Sequence, residues 1–407
     1  MSNKNINSLM EYSLVGSLLL TSNTVYQYSD FHNYFNIILN MVILISLLYM
    51  IVNTSISKQV LYKIMVVISI YVFIVSLIKI SNREKILSIS NLQYFLYYPL
   101  VLLVLVILYY RKSIIRILKK YVRISVILSI ISLFFWSLGS ILNIVHPSNV
   151  ITSYWTNEVI NNYYYLHFDT QQIEVFGNVI IRNSGIYPEA PMFNLSLCIA
   201  LLFQILILKK INLSTWILIV TIITTTSTTG IFVLGFLVIY MFIIKVKGLL
   251  KYISIFFTTI VMFLLMELWD NKSTSGSASI RFDDYNAGLI AWKENLFLGS
   301  GFTNGLTNIQ RNMDTTIRDN LGYSNSLFVI SAQGGILLIM FYFFPILYIF
   351  IKRKYSYDLK FFLCMIITLM VTTIFVDTYI FLFIIGMIYA TIIVGEVINE
   401  ETIRDIV

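Results

Sequence analysis

Apolar residues run along this chain in long blocks, separated by short basic connections and by two long polar segments. The blocks span 12–25, 35–52, 61–80, 91–110, 124–145, 190–208, 212–228, 230–244, 252–269, 325–351, 359–376 and 378–395. A helix needs about 20 apolar residues to cross the hydrocarbon layer. The pattern therefore predicts an all-α, polytopic integral membrane protein with about twelve transmembrane helices, eleven without the first block. That block carries Glu11 at its start, ends in Thr21-Ser22-Asn23-Thr24 and shows no small-residue cleavage site. It is read as a helix and not as a removed signal peptide. No repeat, heptad array or soluble domain interrupts the pattern, so residues 1–407 form a single membrane domain with long loops at 146–189 and 269–323.

Charge sets the orientation. Lys and Arg favour cytoplasmic connections, and here they cluster as Arg111-Lys112, Lys119-Lys120, Lys209-Lys210 and Lys352-Arg353-Lys354. Twelve helices put those clusters and both termini in the cytoplasm, with 19 of the 28 Lys and Arg inside, 9 outside and both long loops external. The connection 79–90 is the awkward one, because Lys79, Arg83 and Lys85 would face out. The net charge of +8 then reflects topology and does not point to a nucleic-acid partner. At 58% hydrophobic and 12% charged residues, against about 25% charged in soluble domains, the chain is not a soluble protein. Inside the blocks almost nothing ionises, whereas pumps and transporters place charge at mid-membrane. Pro99 and Pro345 should kink their helices, and Gly334-Gly335 should permit close helix approach.

The first loop, from His146-Pro147 to Glu189-Ala190-Pro191, is aromatic, with Tyr154, Trp155, Tyr163, Tyr164, Tyr165, His167 and Phe168 ahead of Asp169. Such rings suit a sugar face or an interfacial belt equally well. Arg182 and Tyr187 close the loop beside the next helix. The second loop opens with the flexible stretch 273–279. It continues in a short amphipathic helix that carries Arg281 in its first turn, with Tyr285, Leu289, Trp292 and Leu296 at helical spacing. Gly299-Ser300-Gly301 ends that helix, and Arg311, Arg318 and Tyr323-Ser324-Asn325-Ser326 follow. A guanidinium fork matches phosphate oxygens, so these loops point to a lipid-linked diphosphate. The three histidines, His32, His146 and His167, have no ligand spacing, and no metal or other cofactor is expected. Cys198 and Cys364 lie within helices, without a disulfide framework.

Three patches carry a family resemblance: Arg182-x-x-Gly185-x-x-Pro188-Glu189, Thr226-Ser227-Thr228-Thr229-Gly230-Ile231, and a third from Ser279-x-Arg281 through Trp292, Gly299-x-Gly301 and Asn325-Ser326 to Gly334-Gly335-Ile336. In these patches and in topology the chain resembles the O-antigen polymerase and O-antigen ligase superfamily, most closely the capsular polysaccharide repeat-unit polymerases. The resemblance implies a metal-independent glycosyltransferase in the bacterial cytoplasmic membrane. It would join undecaprenyl-diphosphate-linked oligosaccharides outside the cell, among membrane lipid, with a flippase and a chain-length regulator as further partners. The diphosphate-holding role carries over to Arg182 and Arg281, and less directly to Arg311 or Arg318. Where the ligase branch has His before the Asn of the third patch, Ser324 stands here, and where many members have Arg after the Ser of the second patch, Thr228 stands here.

The expected catalytic set is Arg182, Arg281 and Glu189, with Glu189 as the base because it is acidic, external and near Arg182. Asp169, Asp283 and Asp284 stay open for that role. Substrate binding is expected at Arg311, Arg318, Tyr323, Asn325, Tyr187 and Trp155. A ligase-like transfer to an envelope acceptor and, from another class, a lipid-linked oligosaccharide flippase are the alternatives. A polysaccharide O-acetyltransferase lacks a recognisable acyl-donor motif here.

Overall fold

The computed structural model describes residues 3–29, 32–52, 56–85, 93–153, 155, 158–175, 178–245, 250–273, 276–318 and 322–395. It is 72% helical, and a helix stands at each apolar block. These are α1 (Asn3–Leu20), α2 (His32–Val52), α3 (Lys58–Ser81), α4 (Tyr98–Tyr110), α5 (Ile114–Phe135), α6 (Ala190–Leu202), α7 (Leu213–Thr224), α8 (Thr228–Lys245) and α9 (Leu250–Ser273). After α10 (Gly276–Glu294) and the short α11 (Gly305–Arg311) come α12 (Ser326–Ile351), α13 (Tyr357–Thr372) and α14 (Tyr379–Val394). Among the described residues, six helical spans are long and apolar enough to cross a membrane, three more helices are apolar but shorter, and the count of twelve crossings is not established.

Helix α6 and its π-helical continuation to Ile207 are apolar on every side and 94% buried. A helix without a polar face belongs in a core, and α6 lies against α5, α7, α8 and α13. Around this core, side chains such as Phe73, Phe263, Phe344 and Leu347 stay exposed on the outer helices. A continuous apolar surface of that kind is covered by lipid. Side-chain caps start several helices. Ser57, Asn325, Ser356 and Thr378 each accept the amide of the residue three positions on, which satisfies one of the orphan N–H groups at a helix start. Pro99 falls at the start of α4, after a π-helical turn at Gln93–Tyr97, where a missing N–H costs little.

Four findings revise the sequence reading. The first loop, in a fold expected to be all-α, carries strands. It folds as β1 (Asn149–Ser153), β2 (Glu158–Tyr163) and β3 (His167–Asp169) in one antiparallel sheet, and β4 (Gln172–Val175) with β5 (Asn178–Ile181) in a hairpin. β-Branched residues such as Val150, Ile151, Val159, Ile160, Ile173 and Val179 favour these strands. Second, α10 begins at Gly276, so Arg281 sits in its second turn; Thr274 and Ser275, in the stretch expected to be flexible, lie outside the described residues. Third, Gly334-Gly335 breaks α12 instead of serving only close packing. Gly335 takes φ 57° and ψ −153°, a conformation nearly confined to glycine. The second loop fills the break: Ser300 N donates to Ala332 O at 2.7 Å, Gly301 N to Gln333 O at 3.1 Å, and Ile336 N to Leu296 O at 2.8 Å. Fourth, the awkward cation Lys79 is 1% exposed and bridges to Glu84 at 3.1 Å, so it does not stand as a free charge in the connection.

Candidate functional site

The site gathers at the end of the central helix. Glu189 is the N-cap of α6, with extended backbone (φ −140°, ψ 141°) that turns the chain from the first loop into the core. Its Oε1 accepts the indole N–H of Trp155 at 2.7 Å, and the Trp155 ring meets Tyr28 edge-on at 4.8 Å. Burial raises the Glu189 carboxyl above its ordinary range, although the Trp155 hydrogen bond and the charge of Arg182 pull the other way. A carboxyl moved toward neutrality by burial can accept a proton in a catalytic step.

Arg182 follows β5. Its backbone N–H donates to Gln171 O at 3.0 Å. Its Nε donates to Thr225 O and Thr226 Oγ1, both at 3.0 Å, and Nη1 donates to Gln171 Oε1 at 3.1 Å. The same Gln171 oxygen accepts the amide of Ala190 at 3.1 Å, which locks Arg182 to the start of α6. The Thr225 and Thr226 acceptors exist because the chain breaks between α7 and α8, with Thr226 at φ 51°. Thus the first two sequence patches touch through one guanidinium. Burial lowers the Arg182 pKa to about 10, Glu189 counters that effect, and Arg281 adds to it by repulsion. The third patch therefore lies within electrostatic range of the first two. Arg281 has no hydrogen bond or ion pair among the described residues. Two guanidinium groups within electrostatic range of each other, one of them beside the Glu189 carboxylate, make this a candidate anion site.

The remaining expected residues are placed otherwise. Arg318 is buried, and its Nη2 reaches Asp283 Oδ2 at 2.8 Å, Asp284 Oδ1 at 2.7 Å and Ile280 O at 2.9 Å. Ser324 donates its hydroxyl to Asp284 Oδ2 at 2.7 Å, and Tyr323 OH donates to Asp284 O at 2.9 Å. This knot clasps α10 to the end of the second loop, and it uses the charges of Asp283 and Asp284. Burial raises the Asp284 carboxyl, with Ser324 and Arg318 opposing. Asn325 caps α12 by accepting Phe328 N at 3.1 Å. Tyr187 is buried against Phe193, with its hydroxyl 2.8 Å from Ser196 Oγ. Arg311 ends α11 exposed, 3.5 Å from Asn308 Oδ1. Tyr154 lies outside the described residues.

Sequence reasoning missed Gln171, for which no motif signals, and left Asp169 open. Asp169 Oδ1 accepts Ser140 Oγ at 2.5 Å and lies 3.5 Å from His167 Nε2, and Oδ2 accepts Tyr163 OH at 3.2 Å. Burial acts to raise this carboxyl, but the hydrogen bonds from His167 and Ser140 outweigh it and hold the group below its usual value. A cavity of about 500 Å³, lined by Glu158, Asp169, Thr170, Gln171, Gln172 and Arg182, opens between the two sheets.

Residues 213–343 match the family model described as O-antigen ligase. The match supports the O-antigen ligase and polymerase superfamily. It runs from α7 into α12 and contains Arg281, Arg311, Arg318, Tyr323 and Asn325, whereas Arg182, Glu189, Tyr187 and Trp155 precede it. A comparison with curated proteins finds no match. Together with the apolar helices, the family match makes this a multi-pass membrane protein.

Proposed function

We propose that this protein is a membrane glycosyltransferase that polymerises undecaprenyl-diphosphate-linked oligosaccharide repeats at the external face of the bacterial cytoplasmic membrane. The observation that supports the reading is that Arg281, about a hundred residues further along, lies within electrostatic range of Arg182, which in turn acts on the Glu189 carboxylate. A diphosphate between the two guanidinium groups would relieve their repulsion. In the reaction an acceptor hydroxyl oxygen bonds to the anomeric carbon of the donor sugar. The bond from that carbon to the diphosphate breaks, the lipid diphosphate leaves with the electron pair, and Glu189 takes the hydroxyl proton. Charge grows on the leaving group along this path, so preorganised donors stabilise the transition state more than the ground state. Trp155 and Gln171 act through Glu189 and Arg182 as positioning residues. Arg318 and Tyr323 hold α10, and with it Arg281, beside the start of α12, which Asn325 caps, while Tyr187 supports the turn into α6. Arg311 remains a candidate contact for the glycan outside the anion site.

The family description favours a second reading, transfer of finished polysaccharide to an envelope acceptor. Ser324 in place of the ligase-branch His speaks for the polymerase. The test is replacement of each arginine by lysine, which keeps charge and loses the fork. Arg182→Lys and Arg281→Lys should each lower polymer formation by about 10²–10³ at unchanged membrane abundance. Polymer at the unsubstituted level from either variant would remove that arginine from the site. Polymer present but unattached to its envelope acceptor in a deletion strain would establish the ligase reading.

A further inference from the structure

Resting on that reading, we infer that the polar cavity between the two small sheets receives the terminal sugar of the acceptor chain, and that this sugar is neutral or amino-bearing and not a uronic acid. The cavity shares two residues with the anion site. Gln171 and Arg182 form part of its wall, and both belong to the hydrogen-bond set that reaches Thr225, Thr226 and Ala190. A sugar seated there lies next to a diphosphate held by Arg182. The volume of about 500 Å³ falls within the range of roughly 300–1,000 Å³ typical of small-molecule sites.

The lining chemistry narrows the occupant. Glu158 and Asp169 contribute carboxylates, Gln171 and Gln172 carboxamides, and Thr170 a hydroxyl. Every sugar hydroxyl brings one proton that needs an acceptor, and this wall is rich in acceptor oxygens. Asp169 is oriented by Ser140, Tyr163 and Asn161, the last at 3.4 Å. Glu158, exposed on β2, has no hydrogen bond or ion pair among the described residues and is free to accept from a ligand. With the Arg182 charge engaged by the diphosphate, the two carboxylates set the charge of the rest of the wall and repel a third, so an acidic sugar is rejected, whereas hydroxyl and ammonium groups are accommodated.

The test uses the full chain in lipid nanodiscs, with lipid-linked repeats as donor and the repeat-unit oligosaccharide, released from its lipid by mild acid, as soluble acceptor. Glu158→Gln should raise the acceptor KM about tenfold, the loss expected for a hydrogen bond to a charged group, with donor KM and kcat unchanged. The residue is exposed and unbonded, so the variant should melt like the parent protein; Gln172→Ala, also exposed, gives an independent second variant. Glucose and glucosamine should compete with the acceptor, and glucuronate at equal concentration should not. An unmoved acceptor KM in both variants, or competition by glucuronate equal to that by glucose, overturns the subsite. Arg182→Lys, assayed beside them, separates the two layers. If it retains full activity, the diphosphate reading fails; if it is inactive while acceptor KM stays unmoved in the cavity variants, only the subsite fails.

Discussion

At the scale of single residues, the site depends on groups whose charge is set by their surroundings. Arg182 is held on Nε and Nη1 by Thr225, Thr226 and Gln171, and Arg281, from the other loop, is close enough for its charge to act on it. If both serve one leaving group, the Arg182→Lys/Arg281→Lys double variant should be little slower than either single, since residues that act as a unit are strongly non-additive. Strictly multiplicative losses in a turnover assay would assign them to different groups. Glu189 offers a separate measurement. A base must be ionised, so the rate should fall on acidification through its raised pKa. The Trp155 hydrogen bond lowers that pKa; its removal in Trp155→Phe should shift the acid limb of the pH–rate profile to higher pH. A shift to lower pH, or none, would detach Trp155 from the proton-accepting group. Arg182 and Glu189 were legible in the sequence because a lone cation and a lone acid stand at the lip of an apolar block. Gln171 was not, because its role comes from geometry that brings Arg182 Nη1 and the Ala190 N–H to one side-chain oxygen.

At the scale of elements, the decisive joint is the break in α12. A Cβ on Gly335 would lie 2.4 Å from Phe297 C and 2.5 Å from Leu296 O, and one on Gly299 would lie 2.5 Å from Gln333 C. Loop and helix are therefore fitted backbone to backbone. Gly335→Ala should cost about 1–3 kcal/mol in backbone strain alone, with the clash added, and should lower the melting temperature in detergent. Gly276→Ala, where nothing lies within 4 Å, should melt like the parent. Equal melting of the two variants would show that the break does not carry the loop. The sequence marked Gly299, Gly301 and Gly334-Gly335 as significant but could not say that they meet. The strands of the first loop were missed for a related reason. Their five segments are three to six residues long, too short for alternation to stand out among polar and aromatic positions. Tyr164 and Tyr165, at φ 54° and 59°, make the β2–β3 turn without glycine, so the usual turn signal is missing.

At the scale of the whole molecule, orientation is the property on which the reading depends. The proposed reaction consumes substrate outside the cell, so a topology reporter fused near Gln171 should read external, and fusions near Lys119 and Arg353 should read cytoplasmic. A cytoplasmic signal at Gln171 would separate the paired arginines from external substrate and would end the proposal. The basic clusters argue for this orientation. Within the fold, Lys79 adds little to the count against it, since it is tied to Glu84 at 3.1 Å and covered by the rings of Tyr94 and Phe302.

The helical blocks, their approximate ends and the apolar surface follow from the order of residues alone, because hydrophobic length is a local property and the bilayer demands it. The same order also determines which two segments could carry polar chemistry, since charge kept out of the blocks has to collect between them. Only the tertiary structure decided which charges stay available. Arg281 and Arg318 look alike along the chain, yet Arg318 is consumed by Asp283 and Asp284 while the Arg281 side chain has no ion pair among the described residues and lies within electrostatic range of Arg182. That difference rests on contacts between residues 34 and more positions apart in sequence, and no local pattern encodes the distance between two loops.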